Sequence, residues 1–167
     1  MKRWRSLCLA PVLLAGCVPM APPDVPVSTV NLVRSDGATI GTVRVFSEPT
    51  GLLLRIKATG LPPGMHGVHL HSTGRCDPPK FTSAGAHWNP TQKQHGHRNP
   101  QGFHTGDLGN LGVGADGTLT AGLLVPGATF AAIRDADGSA LVLHAKADDE
   151  RTDPSGNSGD RIACAVL

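Results

Sequence analysis

Leu52-Leu53-Leu54-Arg55-Ile56-Lys57-Ala58 sets Leu52, Leu54, Ile56 and Ala58 on one side of an extended chain and Leu53, Arg55 and Lys57 on the other. A period of two is the mark of a half-buried strand. Upstream, Val43 and Val45 flank an outward Arg44, after the hairpin-type turn Ser35-Asp36-Gly37. Downstream, Leu119, Ala121, Leu123 and Val125 repeat the alternation behind Asp116-Gly117. No segment sustains a helical period. Short strands punctuated by tight turns predict an all-β domain, an antiparallel sandwich or flattened barrel.

Two long loops rich in glycine and proline, Ser72 to Asn99 and Ala147 to Asp160, interrupt the strands. Loops of this length inside a compact domain are either functional or disordered. The first carries His87 and His95 and leads into His104, which favours function. The 167 residues suffice for one domain with its own core. Glycine and proline make up about a fifth of them, as expected for an all-β chain with many turns. With no tyrosine and 4% aromatic residues, the chain lacks the stacking platforms of a nucleic-acid binder.

The N-terminus reads as an export signal. Met1-Lys2-Arg3-Trp4-Arg5 is a basic segment, Leu7 to Ala15 is apolar, and Leu14-Ala15-Gly16-Cys17 has the form of a bacterial lipobox. The expectation is a signal peptide over 1–16, a lipidated Cys17 and a tether over 17–28 containing Pro19, Pro22, Pro23 and Pro26. The folded domain then spans 29–167, exported to the cell envelope or periplasm and anchored to a membrane. A plain secretory signal cut slightly later is the alternative. Three of the 15 Lys and Arg residues fall in the signal, leaving 12 against 13 acidic residues, so the mature domain is close to neutral and shows no DNA-binding patch. Cys8 leaves with the signal and Cys17 carries lipid, so Cys76 and Cys164 remain. In an oxidising compartment they most simply form a disulfide. A thiolate metal site is disfavoured by the absence of C-x-x-C spacing.

Six histidines and one aspartate carry the chemistry. His69 and His71 stand two apart in Gly67-Val68-His69-Leu70-His71, so on a strand both rings share one face while Val68 and Leu70 face the core. His87 follows in Ala84-Gly85-Ala86-His87-Trp88-Asn89-Pro90. Beyond it come His95, then His104 and Asp107 in His104-Thr105-Gly106-Asp107, and His144 in Leu141-Val142-Leu143-His144. Imidazoles with one carboxylate and no thiolate suit copper or zinc. A lone histidine is usually structural; this ordered set reads as two adjacent metal sites.

The motifs Gly67–His71, Ser83–Pro90, His104–Asn110, His144–Asp149 and Gly156–Cys164 resemble the copper/zinc superoxide dismutases in order and spacing, from about Thr29 to Leu167. The resemblance implies a Greek-key β-sandwich or flattened barrel with two functional loops. It implies copper held by His69, His71, His87 and His144, and zinc held by His87, His95, His104 and Asp107, with His87 bridging both. Asp148 matches the carboxylate that bonds His69 and His95, Arg161 the arginine that docks superoxide, and Cys76–Cys164 the disulfide. The implied activity is dismutation of superoxide to dioxygen and hydrogen peroxide by copper redox cycling, a defence against extracytoplasmic superoxide, with Arg161 and His87 as catalytic groups. His66 matches a structural histidine, whereas His97 has no counterpart and reads as a solvent-exposed side chain able to compete for zinc. Asp160, Pro154 and the short C-terminus Cys164-Ala165-Val166-Leu167 depart from the eukaryotic pattern and bear on rate, steering and oligomeric state, which is monomer or homodimer. The rival readings are a non-enzymatic copper/zinc binding or delivery protein on the same fold, and an adhesion sandwich.

Overall fold

The computed structural model describes residues 24–167; the expected signal peptide, Cys17 and most of the expected tether lie outside the described residues. Eight strands follow in order: β1 Ser28–Arg34, β2 Thr39–Glu48, β3 Gly51–Ala58, β4 Gly64–His71, β5 Asp107–Val113, β6 Leu119–Pro126, β7 Ala140–His144 and β8 Arg161–Val166. They form one antiparallel sheet ordered β5-β4-β7-β8-β1-β2-β3-β6. Its two ends, β5 and β6, pack against each other, so the sheet curls into a nearly closed barrel. Closure leaves few bare sheet edges for another chain to pair with.

The alternation read from the sequence fills this barrel. Val43, Val45, Leu52, Leu54 and Ile56 are fully buried, together with Leu32, Val68, Leu70, Leu141 and Leu143, and form the main core. Arg44, Arg55 and Lys57 point out. Pairing begins slightly before the expected Thr29: Ser28 opens β1, and the Val27 amide already donates to the Val45 carbonyl at 2.8 Å. Among the described residues, helix is confined to a 3-10 turn over Thr82–Ala84 and one α-helical turn, Phe130–Ile133, whose Thr129 hydroxyl caps the Ala132 amide at 3.1 Å.

A second, smaller core lies outside the barrel. Ala140 and Val142 of β7 and Cys164 of β8 face outward and are covered by Phe81 and Ala84 from the first long loop. The Cys76–Cys164 disulfide, Cα–Cα 5.7 Å across 88 residues of sequence, fastens the same loop to β8. The loop is thus packed and cross-linked against the strands that carry the site.

Leu54 tests the core. It has no exposed surface, so Leu54→Ala should lower stability by about 2–5 kcal/mol, read as a lower urea midpoint of the metal-free protein with an unchanged slope.

Candidate metal centre

Three of the six histidines, His87, His95 and His104, lie on irregular chain between β4 and β5, His144 ends β7, and the remaining two, His69 and His71, stand on one face of β4. Cross-strand register sets His69 opposite Val142 of β7 on one side and Asp107 of β5 on the other, while His144 ends β7 opposite Arg161. His87 is drawn onto β4 by an isolated bridge to His71. All six rings and Asp107 are buried. The rings pack closely, with His69 stacked on His87 at a centroid distance of 4.0 Å.

Each ring is held by one nitrogen, which decides what the other can do. His71 Nδ1 donates to the Gly85 carbonyl at 2.9 Å, and His144 Nδ1 donates to the Gly159 carbonyl at 3.0 Å. His69 Nε2 donates to Asp148 Oδ2 at 2.7 Å, and His95 Nε2 to Asp148 Oδ1 at 3.0 Å. A neutral imidazole then keeps its lone pair on the opposite nitrogen. Of those opposite atoms, all buried, His69 Nδ1, His71 Nε2 and His144 Nε2 have no partner, and His95 Nδ1 faces only Asp107 Oδ1, at 3.0 Å. Unpartnered buried acceptors are rare in native proteins. Three of them converging on one region fit a metal ion.

Two groups of four donors lie within 4.8 Å of one another: His69, His71, His87 and His144, and His69, His87, His95 and Asp107. His104 stands beside the second group. His87 Nδ1, His95 Nδ1 and His104 Nδ1 approach the single oxygen Asp107 Oδ1 at 2.8, 3.0 and 3.1 Å. The other oxygen, Oδ2, accepts the Gly96 and His104 amides at 2.9 and 3.0 Å. One oxygen is therefore fixed by backbone while the other faces three ring nitrogens, the donor set of a tetrahedral site. Three imidazoles with a carboxylate suit zinc, and an all-imidazole set suits copper.

The charges follow from burial. It holds His71 down to about 2, His87 to about 4 and His144 to about 3, keeping these rings neutral as ligands must be. Burial also acts against the charged form of His95, but Asp107 and Asp148 outweigh it and raise that ring to about 9. The same contacts overcome burial at Asp107 and Asp148 and hold both carboxyls below their ordinary range.

Arg161 opens the site to solvent. Its Nη1 donates to the Phe81 carbonyl at 2.7 Å and its Nη2 to the Gly85 carbonyl at 2.8 Å, the carbonyl that also orients His71. The half-buried guanidinium lines a hollow of about 440 Å³ with His87, His144, Pro154 and Ser155. Asp160 forms no ion pair with Arg161 among the described residues; it is exposed and lines a neighbouring hollow with Lys80. His66 is structural, its ring nitrogens facing the His144 and Pro62 carbonyls at 2.7 and 2.8 Å. His97 is exposed and stacks on Phe103 at 4.1 Å, away from the cluster. The sequence reading left three supports without a role. Asn110 exchanges two hydrogen bonds with the Asp148 backbone, at 2.9 and 2.7 Å. Asp153 accepts the His95 amide at 2.7 Å. At Gly156, where φ is +61°, a Cβ would collide with Asp148 Oδ1.

A nearly closed β-barrel with two adjoining donor groups that share His69 and His87, beside a docked arginine, defines a class of metalloprotein. The profile of the family "Copper/zinc superoxide dismutase (SODC)" matches residues 39–167. The superoxide dismutase-like protein YojM of Bacillus subtilis is 41% identical over 92% of this chain and 89% of its own. A Cu-Zn superoxide dismutase of Caulobacter vibrioides is 40% identical, covering 84% of each chain. Among solved structures, a SOD-like protein from Bacillus subtilis superposes with a TM-score of 0.80 at 44% identity, covering 83% of this chain and 97% of its own. The Cu/Zn superoxide dismutase of Brucella abortus gives 0.69 at 29% identity, covering 84% and 98%. The chain belongs to the copper/zinc superoxide dismutase family.

Two outcomes follow from this geometry. In the metal-free protein, His71, His87 and His144 sit below their unfolded value of about 6.5, so the unfolded chain takes up their protons first. Their contribution is complete above about pH 6.5 and is lost as pH falls below it. His95 acts in the opposite sense, contributing fully below about 6.5 and losing its effect as pH rises toward 9. The thermal midpoint of metal-free protein should therefore peak near neutral pH and fall on both sides, more steeply in acid. Separately, Asp148→Asn should lower zinc affinity about 10–100-fold before copper is affected, with the Cys76–Cys164 bond easier to reduce. Competitive chelator titration and thiol trapping read both.

Proposed function

We propose that this protein is an exported superoxide dismutase, with copper at His69, His71, His87 and His144 and zinc at His87, His95, His104 and Asp107. The observation that carries this is the set of buried, unpartnered ring nitrogens beside an open hollow lined by Arg161. Bound at those residues, copper would supply the one-electron couple by which two superoxide ions and two protons become one dioxygen and one hydrogen peroxide. The chain's own residues do the rest. Arg161, a permanent cation fixed by two carbonyls, docks an anion at the hollow. His87 lies on the hollow's wall and in both donor groups, so its ring can hand a proton to the reduced product. Asp148 and Asp107 orient the rings and offset the charge of the ions, and the disulfide-fastened loop keeps Gly85, and through it Arg161 and His71, in register.

A second reading, non-enzymatic copper and zinc binding, is favoured by one finding: the Bacillus subtilis relative is named superoxide dismutase-like. Against it, every copper-donor position and the arginine are present in this chain.

For location, the lipobox at Cys17 supports attachment to a membrane of the cell envelope by an acyl anchor, with superoxide outside the cytoplasm as substrate. Each CH2 of such an anchor buried in the bilayer contributes about 0.8 kcal/mol to the attachment.

His144→Ala should abolish superoxide consumption while zinc stays bound; full activity in that variant overturns the copper assignment. Arg161→Ala should keep both metals and lose roughly tenfold in rate, the size of one docking contact. Cys17→Ser should move the protein from the membrane fraction to a soluble or unprocessed form, and native protein without an acylated N-terminus at Cys17 contradicts the anchor.

A further inference from the structure

The side of the barrel away from the metal centre carries a patch that the reaction does not use. In the ring of eight strands, β2 and β3 lie opposite β4 and β7. On their outer face, register aligns Phe46 with Leu53 and Leu53 with Leu124. Carrying the β1–β2 register back one residue from Ser28–Val45 puts Val27 opposite Phe46. An apolar row therefore crosses four strands, with Val27 46% and Leu124 44% exposed and Val25, just upstream, 66% exposed. The next rows hold Arg44 and Arg55, paired with each other, and then Lys57. Both guanidinium groups lie over the Phe46 ring, 5.1 and 4.4 Å from its centroid. Two carboxylates oppose these three cations: Asp24, ion-paired to Arg55, and Glu48 at the end of β2.

We propose that this outer face of β1, β2, β3 and β6 docks on an anionic phospholipid bilayer, with Arg44, Arg55 and Lys57 at lipid phosphates and Val25, Val27 and Leu124 among the headgroups. Apolar side chains bordered by arginine and lysine suit that interface. The covalent chain identifies the occupant. Asp24 sits on Arg55 at this face, and Cys17 is seven residues upstream. At no more than about 3.6 Å per residue, an acyl group on Cys17 lies within about 25 Å of the patch. The two carboxylates make the patch a weak site alone, but the tether holds it at high local concentration against the bilayer. Docking there orients the anchored domain and turns the hollow lined by Arg161 and His87 away from the membrane. For its proximity, though not for its chemistry, this inference rests on the acylated Cys17 proposed above.

The test uses full-length processed protein reconstituted into vesicles, with a fluorophore on Thr120→Cys, at the patch, or on Lys93→Cys, in the metal-site loop. In phosphatidylglycerol-containing vesicles, a headgroup quencher should reach the Thr120 label and leave the Lys93 label unaffected. Arg44→Glu with Lys57→Glu should weaken docking by roughly fivefold or more per cation, with metal content and superoxide consumption unchanged. About 1 M salt, where the Debye length is about 3 Å, should do the same. Equal quenching of both labels, or quenching unaffected by charge reversal and by lipid charge, overturns the docking surface. Protection of the Thr120 label in neutral detergent that grows with protein concentration also overturns it, identifying a contact between copies. Failure of the anchor reading is seen separately, as protein lacking acyl mass on Cys17 and absent from the vesicles.

Discussion

Asp148 joins the two halves of the site through one buried carboxylate. One oxygen holds His69 on β4 and the other holds His95 on the long loop, so a strand-borne ring and a loop-borne ring share a single anchor. Burying a carboxylate costs several kcal/mol unless hydrogen bonds and opposite charge compensate. Here the two imidazoles, the Glu150 amide and the Asn110 clasp on its backbone provide that compensation. By taking the outer nitrogen of each ring, Asp148 also aims the inner nitrogens at the metal centre. The metal-binding character of the cluster therefore depends on a residue that need touch no metal.

The barrel and the loop divide the remaining work. His69 and His71 inherit rigidity from β4, which is paired on both sides by β5 and β7. His87, His95 and His104 lie on irregular chain, and they are held because Phe81, Ala84 and the Cys76–Cys164 bond fasten that chain against β7 and β8. Gly85 is the junction, its carbonyl accepting from both His71 and Arg161. Movement of the loop would thus disturb ring orientation and anion docking together.

The strands and the donors were legible in the sequence because both follow short-range rules. Alternation placed Leu52, Leu54, Ile56 and Ala58 inside, and two-residue spacing placed His69 and His71 on one face. The disulfide followed from counting the cysteines left once the expected signal and lipidation site are set aside. The supports of Asp148 and His95 were not legible, because they depend on contacts across 38 residues between Asn110 and Asp148 and 58 between His95 and Asp153. Gly156 carried a signal only as one glycine among many; its need for an absent Cβ appears once Asp148 is placed against it. Nor could the sequence decide that Asp160 forms no ion pair with Arg161 among the described residues, the guanidinium being held by the carbonyls of Phe81 and Gly85.

The central claim is that the unpartnered ring nitrogens form two distinct sites, only one of which drives superoxide chemistry. Metal content and superoxide consumption measured on the same purified sample, before and after selective removal of copper, test it most directly. The account predicts one copper and one zinc per chain, with consumption lost on copper removal and restored by copper while zinc stays bound. A single ion per chain, or two bound ions with no superoxide consumption, would contradict it.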